Sequence, residues 1–165
     1  MNPFLTSSPV ETRAVGAALG GVLRPGDIVL LAGELGAGKT TLVQGIGDRM
    51  GVDEPMTSPT FTLMRTYDTR PLIAHVDVWR VEHLHEVLDL GLEEVLEEGG
   101  VALVEWGDVI LPHLGRDAIL VRLERPPGGA NPDERSITIS VVGSSPGTSE
   151  RLERLTRERL DTARG

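Results

Sequence analysis

The stretch GELGAGKT, Gly33 to Thr40, winds three glycines into a turn that ends in a lysine and a threonine, and Lys39 is the sole lysine among 16 basic side chains. These residue types suit phosphate chemistry. Glycines at Gly33, Gly36 and Gly38 admit backbone conformations and close approaches that a Cβ blocks. Successive N–H groups can then face inward as an anion nest, to which the N-terminus of a following helix adds partial positive charge. Lys39 offers a compact ammonium on a thin stem, able to reach β and γ phosphates where a planar guanidinium fork is too wide. The Thr40 hydroxyl suits Mg2+. The Gly-x4-Gly-Lys-Thr spacing is that of a P-loop when a buried strand precedes it and a helix follows; without them it would be only a tight connection. The guanine-reading Asn-Lys-x-Asp motif of some P-loop proteins needs a second lysine, so an adenine nucleotide, ATP, is the expected ligand, with relaxed base specificity the open alternative.

Magnesium on such a threonine usually needs a carboxylate at the end of a neighbouring buried strand. The segment VALVEW carries Glu105 after four apolar residues, and PLIAHVDVW carries Asp77 after an apolar run. If both strands run parallel to the one before the turn, both acids emerge beside it. One would hold the metal and the other would position or deprotonate an attacking water, with the division left open. Lys39, Asp77 and Glu105 are thus the candidate catalytic set. His75, His83 and His85, with Glu86, raise a zinc reading. No cysteine supports it, and His83 and His85, two apart on a helix, point to different faces, so satisfied surface histidines are expected. Trp79 and Trp106 follow the acid-bearing strands and are expected to pack in the core. Arg65, Arg80 and Arg135 could approach a γ-phosphate, although most arginines are solvated.

The elements that must position these groups are readable from the apolar pattern. Ser8 caps a helix with Pro9 at its first position and Glu11 three residues after the cap, and Val10, Ala14, Ala18 and Val22 recur on one face. Ile28 to Ala32 reads as a strand buried on both faces, and KTTLVQGIGDRM as a helix closed by Gly51. Two strands joined at DTRP follow, then an acidic helical stretch, VEHLHEVLDLGLEEVLEEGG, broken at Gly91. After VALVEW, the strands AILVRLER and RSITISVV flank the loop PPGGANPDE. The tail is a charged helix with Leu152, Leu155 and Leu160 on a thin stripe. Helices alternating with buried strands predict one α/β P-loop NTPase-like domain over residues 1–165, its central mostly parallel sheet flanked by helices, with a β-hairpin region and a C-terminal helix.

Composition narrows the chemistry. The 165 residues suffice for one core without disulfides, and the absence of cysteine excludes thiolate catalysis. No apolar run approaches the roughly 20 residues needed to span a bilayer, so a cytoplasmic protein is expected. The formal charge of −9 opposes direct binding of a nucleic-acid backbone.

Taken in order, GELGAGKTTLVQGI, SPTFTL, HVDVWR and VEWGD resemble the TsaE (formerly YjeE) family of small bacterial P-loop ATPases. That family is required for threonylcarbamoyl modification of adenosine 37 in tRNAs that read ANN codons. The resemblance implies that Gly36, Ala37, Gly38, Lys39, Thr40 and Thr41 bind the phosphates of ATP, with Thr40 and Glu105 at Mg2+. It places Asp77 at the catalytically important acid, Trp106 beside the metal acid, and Thr60 in a switch-like segment that senses the γ-phosphate. It puts Thr12 where the adenosine is held and Arg135 on the nucleotide side. Two departures stand out: Trp79 replaces a usual tyrosine, and Gly107 replaces a usual proline, a change expected to loosen the loop after Glu105. The resemblance further implies TsaD and TsaB as partners, tRNA reached only through them, and ATP turnover that is slow alone. A small-molecule P-loop kinase and a nucleotide-gated binding module are the rival readings.

Overall fold

Each apolar run becomes a strand placed where both its faces can be covered. In the computed structural model, residues 3–79, 81, 91–128 and 131–162 are described, residues 156–162 as backbone alone. The elements are β1 (Phe4–Thr6), α1 (Pro9–Gly20), β2 (Ile28–Ala32), α2 (Lys39–Met50), β3 (Met64–Tyr67), β4 (Ile73–Asp77), α3 (Leu92–Glu97), β5 (Val101–Glu105), two short 3-10 turns, β6 (Ala118–Glu124), β7 (Arg135–Val142) and α4 (Pro146–Thr162). They build one sheet in the order β1-β7-β6-β2-β5-β4-β3. The four central strands, β6, β2, β5 and β4, run parallel. Antiparallel strands close both edges, β3 on β4 and the β7–β1 pair on β6.

Central parallel strands bury both faces, and every residue of β2, β4 and β5 is buried. Side chains alternate between two cores. Val29 and Leu31 meet Val15 of α1, Leu42 of α2 and Leu152 of α4, whereas Ile28 and Leu30 meet Leu92 and Leu96 of α3. Ile73, Val101 and Leu103 belong to the first core. By the two-residue period, His75, Asp77 and Glu105 share that face, the one covered by α2.

The helix α1 corrects the sequence reading. Its buried residues are Thr12, Val15, Gly16, Leu19 and Gly20, whereas Val10, Ala14 and Ala18 are exposed. The inward face is chosen by close approach to α2, where a Cβ on Gly16 would overlap the Leu42 carbonyl oxygen. Ser8 does cap α1, accepting from the Glu11 N–H at 3.2 Å. The Glu11 carboxylate reaches back to the Ser7 N–H at 2.8 Å, one residue before the cap. Strand β1 is absent from the sequence reading because three residues carry no period. His83, His85, Glu86 and Arg80 lie outside the described residues, as does the Leu160 side chain. Among the described residues, no helix is long and apolar enough to cross a membrane.

Candidate functional site

The glycine turn leaves β2 and enters α2, so its backbone faces the C-terminal ends of the parallel strands. This is the crevice where open α/β sheets bind ligands. Gly38 caps α2 at φ 100°, in the left-handed region that only glycine occupies cheaply. Gly33 is required for a different reason: a Cβ there would lie 2.5 Å from the Leu123 carbonyl oxygen of β6.

Strand register then brings the acids in. Glu105 pairs with Leu31 on one side and Asp77 on the other. The Thr40 hydroxyl donates to both Glu105 oxygens at 3.0 Å. Asp77 accepts from Ser58 Oγ, from Thr60 Oγ1 at 3.4 Å and, at its other oxygen, from the Trp79 N–H at 2.9 Å. Ser58 and Thr60 belong to the SPT segment, which is therefore tied to Asp77 by its hydroxyls. Lys39, Thr40, Thr41, Gly36, Gly38, Thr60, Asp77, Glu105, Trp106 and Arg135 all line one cavity of about 530 Å³.

Lys39 is 5% exposed. Its ammonium donates to the Gly33 and Glu34 carbonyls at 2.7 and 2.9 Å and lies 3.6 Å from the centroid of the Trp106 ring. Burial pushes its pKa down from the usual lysine value, and the Glu105, Asp77 and Asp108 carboxylates oppose that shift. Trp106 holds this position with φ 61°, a conformation unusual for a bulky residue. Its ring packs against Trp79 with centroids 4.1 Å apart and planes tilted by 43°, and Trp79 is itself 49% exposed. The tryptophans thus wall the cavity, Trp79 exposed and Trp106 also packed against the second core. Nor does Gly107 loosen the following loop: it is buried, and a Cβ would meet Leu30 Cβ at 2.9 Å, so glycine lets the turn press onto β2.

The remaining expected residues are placed more indirectly. Arg135, 9% exposed, donates to the Ala37 carbonyl at 2.8 Å and the Gly36 carbonyl at 3.0 Å. It is itself held by the Pro132 and Glu134 carbonyls at 2.6 and 2.7 Å. Ala37, within the turn, and Thr12 of α1 are both buried, and the Thr12 hydroxyl pairs with that of Thr6 at 3.0 Å. Arg65 is turned away to Glu54 on the surface.

Two participants escaped the sequence reading. Ser58 touches Asp77, and His75, far from being a surface residue, is fully buried with Nε2 2.8 Å from Glu105 Oε1. A signal existed for His75: a histidine inside an otherwise apolar five-residue strand must find a buried partner.

The hydroxyl and carboxylate oxygens of Thr40 and Glu105 form a hard donor pair that suits Mg2+ sharing its remaining positions with phosphate and water.

Comparison with known proteins agrees with this geometry. Residues 6–135 match the model of the family described as threonylcarbamoyl adenosine biosynthesis protein TsaE. A tRNA threonylcarbamoyladenosine biosynthesis protein TsaE from Bacillus subtilis is 39% identical over 140 residues, 84% of this chain and 85% of that protein. A protein of the same description from Streptomyces coelicolor is 38% identical over 142 residues, 84% of this chain and 95% of that one. A crystal structure of YdiB from Bacillus subtilis superposes with a TM-score of 0.74 at 33% identity, covering 95% of each chain. With the glycine turn, the SPT segment and both strand-end acids meeting in one cavity, the chain belongs to the TsaE family of tRNA threonylcarbamoyladenosine biosynthesis proteins.

Proposed function

We propose that the chain is a Mg2+-dependent ATPase that serves tRNA threonylcarbamoyladenosine formation by acting on a TsaB–TsaD complex in the cytoplasm. The observation carrying this reading is the convergence of Lys39, Thr40, Asp77 and Glu105 on one cavity at the mouth of a glycine turn. In this reading the turn's backbone N–H groups and Lys39 hold the phosphates of ATP, and Lys39 offsets charge that develops as the terminal phosphate leaves. Thr40 and Glu105 would hold Mg2+, which when bound neutralises phosphate charge. Asp77 orients the attacking water. Its two oxygens offer about four acceptor sites, and Ser58, Thr60 and Trp79 use three. The free site can take a water proton. Thr60 couples the SPT segment to that acid.

The partner reading is supported by surface chemistry. Leu35 and Trp79 line the cavity yet remain 81% and 49% exposed, an apolar rim suited to protein contact. The charge of −9 turns the chain from direct contact with tRNA.

The test is ATP hydrolysis by the purified protein with Mg2+, alone and then with TsaB, TsaD and substrate tRNA. Slow basal turnover that changes with the partners and disappears with a chelator is the expected result. Fast turnover that requires a small acceptor and ignores the partners would replace this reading with a kinase.

Arg135 supports the cradle from behind. The C=O and N–H of a trans peptide point opposite ways, so fixing the Ala37 carbonyl on Arg135 directs the Gly38 N–H to the opposite side. Arg135→Met is expected to weaken ATP binding about tenfold, the equivalent of one charge-assisted hydrogen bond, in a titration with a fluorescent ATP analogue. Unchanged affinity would mean that the turn keeps its shape without the brace.

A further inference from the structure

We infer that His75 is a positioning residue for Glu105, orienting its carboxylate toward Thr40 so that the pair is ready for Mg2+. The inference rests on the Mg2+–ATP reading above and adds to it a residue that touches neither phosphate nor reacting atoms.

The geometry is that of a diagonal pair across two parallel strands. Asp77 lies opposite Glu105, and His75 lies opposite Leu103, so His75 and Glu105 share a face two residues out of register. The imidazole is fully buried, and Glu105 is 3% exposed. His75 Nε2 lies 2.8 Å from Glu105 Oε1, the oxygen that also accepts from Thr40 at 3.0 Å. Glu105 Oε2 has the Thr40 bond at 3.0 Å. A glutamate side chain has three rotatable torsions, and a single hydroxyl leaves the carboxylate free to swing. A second donor from a different strand removes that freedom.

The hydrogen-bond inventory of the imidazole assigns the donor. His75 Nδ1 is buried without a partner. A proton there would be an orphaned buried N–H, whereas a bare lone pair is the milder loss. The proton therefore sits on Nε2, and Nε2–H donates to the carboxylate. This is the arrangement by which outer groups orient metal-ligating carboxylates.

Three substitutions separate orientation from packing. His75→Gln can present an amide N–H near the position of Nε2, His75→Asn is too short to reach, and His75→Leu fills space without a donor. The readout is the Mg2+ concentration that half-maximally tightens binding of a fluorescent ADP analogue, measured beside the analogue's affinity in EDTA. Outer-group losses typically cost about 10- to 100-fold in metal affinity. That rise is expected for His75→Asn and His75→Leu, with affinity in EDTA unchanged and with His75→Gln close to the wild type. Asn and Leu variants that respond to Mg2+ like the wild type would overturn the inference, as would an equal shift in all three variants. Gln against either Asn or Leu decides it, so the comparison stands if one of the latter two does not fold. Failure of the Mg2+ reading looks different: the wild type itself would show no tightening by Mg2+.

Discussion

Asp77→Asn is expected to lower ATP hydrolysis about 10²- to 10⁴-fold, the range for loss of a positioned general base, while ATP binding stays close to that of the wild type. The substitution keeps the shape of the side chain and removes its charge. Ser58 and Thr60 contact Asp77 through hydroxyls, which can accept as well as donate, so the amide can be accommodated without an orphaned group. What is lost is the carboxylate that can draw a proton from water. Glu105→Ala should behave differently. It strands the Thr40 hydroxyl and the His75 N–H together, so hydrolysis falls and the response of binding to Mg2+ falls with it. Single-turnover hydrolysis, read beside a nucleotide titration with and without Mg2+, separates the two. Wild-type turnover in Asp77→Asn would remove that residue from the mechanism.

That split reflects which parts of the site could be read in advance. The glycine turn, its flanking strand and helix, and the two strand-end acids were legible because each is local: an apolar run of five residues, a fixed spacing, a carboxylate where the run ends. The parallel register that sets Asp77 opposite Glu105 follows once both strands are central. Trp79 departs from the core position that hydrophobicity alone assigns to a large aromatic, and the resemblance places Trp106 beside the metal acid, but the φ of 61° that carries its ring over Lys39 is not encoded in residue type. His75 was misread because its partner comes from a strand thirty residues away in sequence. The resemblance puts Arg135 on the nucleotide side, and Arg135 does line the cavity, while its guanidinium donates to the Gly36 and Ala37 carbonyls of the turn and to the Pro132 and Glu134 carbonyls just before β7. The face of α1 failed for a related reason. Apolar periodicity gives glycine no weight, and Gly16 and Gly20 both lie on the buried side.

Those glycines lead to the other large expected effect. Gly45→Ala in α2 sets two known magnitudes against each other. In an exposed helix, replacing glycine by alanine stabilises by about 1 kcal/mol. Here a Cβ would overlap the Arg13 carbonyl oxygen of α1 and lie 2.8 Å from the Arg13 carbonyl carbon and 3.0 Å from the Ala17 nitrogen. All three are backbone atoms of a packed helix, so no side chain can turn aside and the two helices must separate. Overpacking of this kind costs up to about 3 kcal/mol, which outweighs propensity and leaves a net loss of about 2 kcal/mol, a fall in Tm of roughly 4–8 °C. Gly147→Ala in α4, where nothing lies within 4 Å, is the control that should hold or raise Tm. The cost reaches function because α2 begins with Lys39 and carries Thr40 in its first turn. Moving α2 off α1 therefore drags both residues away from Glu105, and nucleotide binding should weaken in step with Tm. A Gly45→Ala protein more stable than the wild type would mean that the helices can part without strain, and that propensity, not close approach, governs this interface.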